Sequence, residues 1–259
     1  MTTKREQAMR NAVASARMEG LPVSKQTERD CVRYLEGRID TATLVQEILN
    51  RQRGQDRPAR RGSMGYTIDA TESGCYPGTT VLVNKFDLRS QSELDAVEAA
   101  LVTAKAIQWE EAPLCDSFDF AHYRAIHKYL FEELYDWAGQ VRTINISKKG
   151  TQFCPAEELP CVGEAVFARV KKEHFFCGLS RERFAEELLD LYERTNELHP
   201  FREGNGRTQR VFLAQLAQNA GYRLDFSCVD ADELMIATIY AAQGIDLPLK
   251  DVLDKIIKE

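Results

Sequence analysis

The stretch that most constrains this chain is residues 199–210, His-Pro-Phe-Arg-Glu-Gly-Asn-Gly-Arg-Thr-Gln-Arg. Two glycines flank Asn205, and an apolar pattern resumes at Val211, Phe212 and Leu216. That run reads as a tight loop feeding the first turn of a helix. Gly204 and Gly206 permit φ > 0 and let a ligand approach the backbone with no Cβ in the way. The N–H groups of such a loop, with the first N–H groups of the helix, form an anion site. Arg207 and Arg210 lie three residues apart, so they share a face and both reach phosphate oxygens. Exposed at a helix N-terminus they would oppose the macrodipole, so their position favours an anionic ligand. Glu203 adds a carboxylate of the sort that holds Mg²⁺ beside substrate phosphates. His199 supplies a base that titrates near neutrality, just before the loop. Base, metal ligand, anion nest and two arginines within one short stretch describe phosphoryl or nucleotidyl transfer.

With 259 residues the chain is longer than one ordinary domain needs. Its 44% hydrophobic and 29% charged residues fit a soluble globular protein. No apolar run approaches a membrane span, and Met-Thr-Thr-Lys-Arg-Glu at the start lacks a signal-peptide core. Seven cysteines without a CxxC pair point to reduced thiols and a cytoplasmic location. The net charge is −6, and the local basic surplus sits in Arg51, Arg53, Arg57, Arg60 and Arg61. An acidic main body argues against direct nucleic-acid binding. The absence of GxxxxGK[ST] excludes a P-loop nucleotide site.

Apolar spacing predicts a helix over 5–19, stopped by Gly20 and Pro22. A second follows to about Glu36, capped by Ser24 or Thr27, with Val32 and Leu35 inward. A third, capped by Asp40 or Thr41, carries Leu44, Val45, Ile48 and Leu49 on its apolar face. This three-helix unit, residues 1–52, has too little core to stand alone and must dock on something. Residues 53–65 have no periodicity and read as a linker. Beyond it, over 66–259, helices are expected at about 91–108, 119–133, 157–174, 180–197, 207–220, 230–243 and 247–257. Thr80–Val83 reads as extended. One hairpin is expected, with Val141–Ile146 alternating, a turn at Lys148–Thr151 and a return at Gln152–Phe153.

The 199–210 stretch matches the Fic motif HPFx[DE]GNGRxxR at every defined position, and the chain is identified as a member of that family. The resemblance runs from about Tyr66 to the C-terminus and includes Leu134-Tyr-Asp-Trp-Ala-Gly-Gln-Val-Arg142. It implies an all-α Fic fold with the motif loop between two central helices. It also implies protein adenylyltransferase activity: His199 deprotonates a target hydroxyl, which attacks the α-phosphate of ATP and releases pyrophosphate. By the same resemblance Glu203 is the Mg²⁺ ligand. Gly204, Asn205 (with its side chain) and Gly206 hold the phosphates, and Arg207 and Arg210 reach the β- and γ-phosphates. The hairpin resembles the Fic flap, whose residues Ile146, Ser147, Lys148, Lys149, Gly150 and Thr151 would dock a target segment by strand addition. Ser15-Ala-Arg-Met-Glu19-Gly20 matches the inhibitory motif [ST]xxxE[GN], which implies that Glu19 pairs with Arg210. Residues 1–52 resemble the small antitoxins that partner Fic toxins, here joined to the toxin in one chain. The resemblance leaves removal of AMP, or a catalytically silent nucleotide-binding module, as alternatives. It names type II topoisomerase B subunits, of gyrase and topoisomerase IV, as expected targets.

Overall fold

A computed structural model describes residues 4–53, the backbone of 67–68, and residues 74–112, 117–148 and 151–259. Its described residues form ten α-helices and short strand pairs. The first three are α1 (Lys4–Met18), α2 (Lys25–Leu35) and α3 (Thr41–Arg53), followed by β1 (Thr67–Ile68). Next come α4 (Gln91–Glu111), α5 (Phe120–Phe131), β2 (Ile146–Lys148), β3 (Thr151–Gln152) and α6 (Leu159–Lys172). The chain closes with α7 (Arg181–Leu198), α8 (Asn205–Asn219), β4 (Arg223–Leu224), α9 (Ala231–Ala241), α10 (Leu247–Ile256) and β5 (Ile257–Lys258). Every expected helix is present. The expected linker lies outside the described residues except for Arg53, which ends α3, and so do Lys149 and Gly150 of the hairpin turn.

The local chemistry explains the boundaries. At the end of α1, Leu21 N–H donates to Ala16 O at 3.1 Å and Gly20 N–H to Arg17 O at 2.9 Å. With Gly20 at φ 76° this is a Schellman turn, and it fixes Glu19 as the capping residue of the helix. Ser24, not Thr27, caps α2, and the two side chains form a reciprocal capping box. Asp40 caps α3 by accepting from Thr43 N–H at 2.8 Å. The inward face of α2 differs from expectation. Its fully buried residues are Asp30 and Cys31, while Val32 and Leu35 are only half-buried. Asp30 tolerates burial because Arg51 and Arg33 both pair with it.

The three N-terminal helices dock on α4, which also packs on α5 and α8. Buried on every turn from Leu94 to Ile107, α4 presents alanines at 99, 100 and 104 that admit its neighbours closely. Cys31 Sγ–H donates to Ala100 O at 3.3 Å from α2. Asn11 pins α1 to the far side of the molecule: its Nδ2 donates to Leu224 O at 2.9 Å and its Oδ1 accepts from Phe226 N–H at 3.0 Å. One hydrophobic core runs from Ala8 and Leu44 to Leu253, so the N-terminal helices share it.

The hairpin begins later than the alternation at 141–146 predicts. Arg142 is taken up elsewhere: its backbone N–H donates to Pro200 O at 2.9 Å, and pairing starts only at Ile146. β2 is the middle strand of an antiparallel three-stranded sheet, with β3 on one side and β1 on the other. The register sets Thr67 opposite Ser147 and Ile68 opposite Ile146. Thr80–Val83 contributes one bridge, Leu82 to Cys75. No helix among the described residues is long and apolar enough to cross a membrane.

Candidate active site

Residues 199–204 link the C-terminal end of α7 to the N-terminal end of α8, and five buried side chains fix their course. His199 caps α7 in the left-handed region at φ 41°. Its Nδ1–H donates to Asn196 O at 3.0 Å, one of the carbonyls that a helix end leaves without an intrahelical partner. That bond sets the tautomer and puts the lone pair on Nε2. Phe153, just past β3, stacks on the ring with centroids 3.8 Å apart. Burial, aided by the nearby Lys148 cation, lowers the His199 pKa to about 3, so the imidazole is neutral at physiological pH.

Phe201 is fully buried and stacks on His127 at 3.8 Å. His127 Nδ1 accepts from Gly139 N–H at 2.8 Å, so Nε2–H donates to Glu203 O at 3.0 Å. Burial pushes its pKa down to about 3, which keeps this tautomer neutral. Arg142 donates from Nε to His199 O at 2.9 Å, from Nη1 to Ile144 O at 2.7 Å, and from Nη2 to Cys154 O. One guanidinium thereby ties both limbs of the hairpin to the backbone of His199. Neither His127 nor Arg142 stood out in the sequence. The only signal for Arg142 was its place at the end of the Leu134–Arg142 resemblance.

Asn205 turns out differently from the expectation that its side chain holds phosphate. Its Nδ2–H donates to Phe201 O and its Oδ1 accepts from Phe201 N–H, both at 2.8 Å. The amide closes the loop, which leaves its second Nδ2–H, with the backbone N–H groups of the first turn of α8, for an anion. α8 starts at Asn205, two residues earlier than expected, because Gly204 caps it at φ 81°. A Cβ at Gly204 would lie 2.3 Å from the Phe131 ring.

Glu203 is partly buried; its Oε1 accepts from Gly204 N–H at 2.9 Å and faces Arg207 Nη2 at 3.5 Å. Oε2 takes part in no hydrogen bond among the described residues. Burial raises its pKa against the pull of Arg207. Among the described residues no group of three or more potential ligands surrounds it. One hard oxygen donor suits Mg²⁺, which is commonly held by one or two carboxylates with phosphate and water completing the shell.

Arg207 is 4% exposed and pairs with Glu98 of α4 at 2.5 Å. Arg210 is held from the N-terminal segment: Nε–H donates to Ser15 Oγ at 2.8 Å, and Nη2–H to Ser15 O at 3.1 Å and Glu19 Oε1 at 2.6 Å. Glu19 Oε1 also lies 2.3 Å from where a Cβ on Gly206 would stand, so the carboxylate rests against the motif backbone. Burial alone would raise the Glu19 carboxyl, but Arg210, Lys148 and Arg207 outweigh it and bring the pKa to about 2. Lys148 and Thr151 of the flap face a cavity of about 150 Å³ that Glu19, His199 and Arg210 line from the other side. The far wall is apolar, with Leu234, Met235 and Ile239 of α9. Ile146 is buried at the base of the flap and Ser147 is half-buried. Gly20 is exposed and serves the turn that aims Glu19.

A helical protein with a glycine-capped helix start after a tight loop, an adjacent neutral imidazole and a carboxylate from the N-terminal helices facing the same cavity has the parts of a nucleotide-handling class. The sequence model of the Fic/DOC family matches residues 117–217, and that of the antitoxin VbhA matches residues 5–51. A probable protein adenylyltransferase, y4lH, of Sinorhizobium fredii is 39% identical over 184 residues, covering 71% of this chain and 94% of that one. The protein adenylyltransferase VbhT of Bartonella schoenbuchensis is 33% identical over 65% of this chain, which spans 35% of that protein. The crystal structure of BepC from Bartonella tribocorum with bound AMPPNP superposes with a TM-score of 0.68 at 29% identity. It covers 72% of this chain and 96% of that one. The chain belongs to the Fic/DOC family.

Proposed function

We propose that this chain is a protein adenylyltransferase of the toxin–antitoxin type, moving AMP from ATP to a protein hydroxyl and held silent in cis by Glu19. The observation that carries the regulation is the Glu19–Arg210 pair at 2.6 Å, made across 191 residues of chain. In this reading residues 1–52 are the antitoxin-like unit, 53–65 the joint and 66–259 the catalytic unit. The polyphosphate of ATP lies on the backbone of 204–206 and on Arg207 and Arg210. Adenine takes the apolar wall of the cavity, an assignment that its size and its Leu234 and Ile239 lining support. Bound Mg²⁺, held by Glu203, would neutralise phosphate oxygens.

His199 Nε2 accepts the proton of the target hydroxyl as its oxygen attacks the α-phosphorus, and pyrophosphate leaves with the broken P–O bond. The αL cap, the Asn196 carbonyl and Arg142 hold that nitrogen in place. The flap residues Ile146–Lys148 and Thr151 would align the target segment, with Lys149 and Gly150 at its turn. A fixed tautomer on a buried base favours a working enzyme over a silent binding module. Glu19 closes the γ-phosphate end until it is displaced. We assign the enzyme to the cytoplasm, in keeping with seven dispersed cysteines that form no CxxC pair in the sequence. We name the B subunits of type II topoisomerases as its targets.

The test incubates wild type and Glu19→Gly with α-labelled ATP, purified gyrase B subunit and, separately, a bacterial lysate. Mg²⁺-dependent labelling by Glu19→Gly and near silence of wild type are expected. Label in lysate proteins but not in the B subunit overturns the target alone. No label anywhere overturns the activity.

A further inference from the structure

Arg207 has a buried companion that lies outside both matched family ranges. Glu98 sits on α4, between residues 5–51 and 117–217. Its Oε1 meets Arg207 Nη1 at 2.5 Å, with the two side chains 7% and 5% exposed. Its Oε2 accepts from the Tyr135 hydroxyl at 2.5 Å. Tyr135 is itself held by stacking on Trp137, centroids 4.4 Å apart, so the carboxylate has little freedom. The next carboxylate, Glu203, is farther from the guanidinium, at 3.5 Å. The guanidinium also lies over the Phe131 ring at 4.7 Å, and neither its Nε nor its Nη1 has a hydrogen-bond acceptor among the described residues, so Glu98 holds it as an ion pair. A cation this buried, with donor capacity to spare, sits beside a fixed anion of the protein's own.

We propose that Glu98 stands in for a phosphate: it is the resident counter-ion of Arg207, positioning that cation and setting how tightly the site takes nucleotide. The proposal rests on the reading that Arg207 receives a phosphate of ATP. Removing the Glu98 charge leaves Arg207 buried with Glu203 at 3.5 Å as its remaining ion pair among the described residues, and with the weaker pull of Glu19 beyond it. Such an uncompensated charge destabilises the empty protein. An arriving polyphosphate then supplies the missing negative charge and meets one fewer carboxylate of its own sign. Stability without nucleotide and affinity for nucleotide therefore move in opposite directions. A purely architectural role for Glu98 would lower both.

The experiment uses the full chain in a Glu19→Gly background, so that Arg210 is equally available in every variant. AMPPNP with Mg²⁺ is the probe, titrated by calorimetry, and thermal unfolding is followed without nucleotide. Glu98→Gln keeps the shape and an acceptor for Tyr135. It should lower the unfolding temperature by about 5 °C or more and tighten AMPPNP binding about five- to tenfold. Adding Arg207→Gln should restore much of the stability and abolish the tighter binding, since both partners are then gone. Unchanged or weaker AMPPNP binding by Glu98→Gln overturns the proposal. Should Glu98→Gln not fold, Glu98→Asp serves, because it withdraws the charge by one methylene. A smaller gain in affinity is then expected, and affinity at or below the parent's overturns the proposal. Arg207→Gln alone separates the two readings. If it binds AMPPNP like the parent, the phosphate role of Arg207 falls. If it weakens binding while Glu98→Gln leaves it unchanged, only the Glu98 assignment falls.

Discussion

Glu19→Gln removes one charge and almost no volume, which makes it the cleanest probe of the inhibited state. The Glu19 side chain is 18% exposed and its Oε1 lies 2.6 Å from Arg210 Nη2. Its carboxyl is held at about 2 against an ordinary 4.5, because three nearby cations outweigh the effect of burial. That difference corresponds to about 3 kcal/mol favouring the ionised form. The group's pKa is depressed in the docked state, so the contact is complete above about 4.5 and fades as pH falls towards about 2. At neutral pH the full term applies. Not all of it opposes nucleotide, since Ser15 still holds Arg210 through Oγ at 2.8 Å and its carbonyl at 3.1 Å. Two-thirds of the charge term leaves about 2 kcal/mol, or about a 30-fold gain in rate. The assay is the initial rate of AMP incorporation from α-labelled ATP into lysate proteins and into the chain itself, at matched protein concentration. A gain below about threefold would refute the reasoning, because the loss of a buried pair's charge could not then be so small.

His199→Ala in the Glu19→Gly background should cost about 10²–10⁴-fold in transfer while leaving AMPPNP affinity near its parent's, as for loss of a general base; equal transfer rates would sink the role. Asn11→Ala strands the Leu224 carbonyl and the buried Phe226 N–H, about 2–3 kcal/mol. It should speed proteolysis within residues 4–53 and raise activity in part, whereas unchanged proteolysis would show that Asn11 does not pin α1. His127 and His199 are held at about 3 against 6.5, chiefly by burial. The unfolded chain therefore takes up protons that the native state refuses, and stability should fall as pH drops from about 7 to about 5. A urea midpoint that stays level over that range would contradict it.

The loop at 199–210 was legible because its residues are local. Glycines, a base, a carboxylate and two arginines lie within one turn and its approach, so sequence spacing is nearly spatial spacing. The Glu19–Arg210 contact was readable for a different reason: the family motif at Ser15–Gly20 carried it, and the Schellman turn then aims Glu19. The long-range supports were not legible. His127, Arg142 and Glu98 act on the loop from 76, 57 and 109 residues away in the chain. Nothing in the spacing of a lone histidine, arginine or glutamate says which backbone it will meet. The α2 face was misjudged because a buried aspartate looks polar until its arginines, one of them from the next helix, are placed. The hairpin's late start has a similar origin, Arg142 spending its backbone N–H as well as its side-chain donors across the fold.

α4 touches α1, α2 and α3 on one flank and the motif arginine on the other, and a helix has only one rotational phase. Deleting a single residue early in α4 would turn everything beyond it by about 100°. Cys31 would lose its seat on Ala100 and Arg207 its partner Glu98 in the same event. Sequence change in this helix therefore cannot be sorted into changes that affect the toxin and changes that affect its restraint. Divergence here must preserve both faces together, whereas the outward side of α9, with Ile236 and Tyr240 open to solvent, is under no such double obligation.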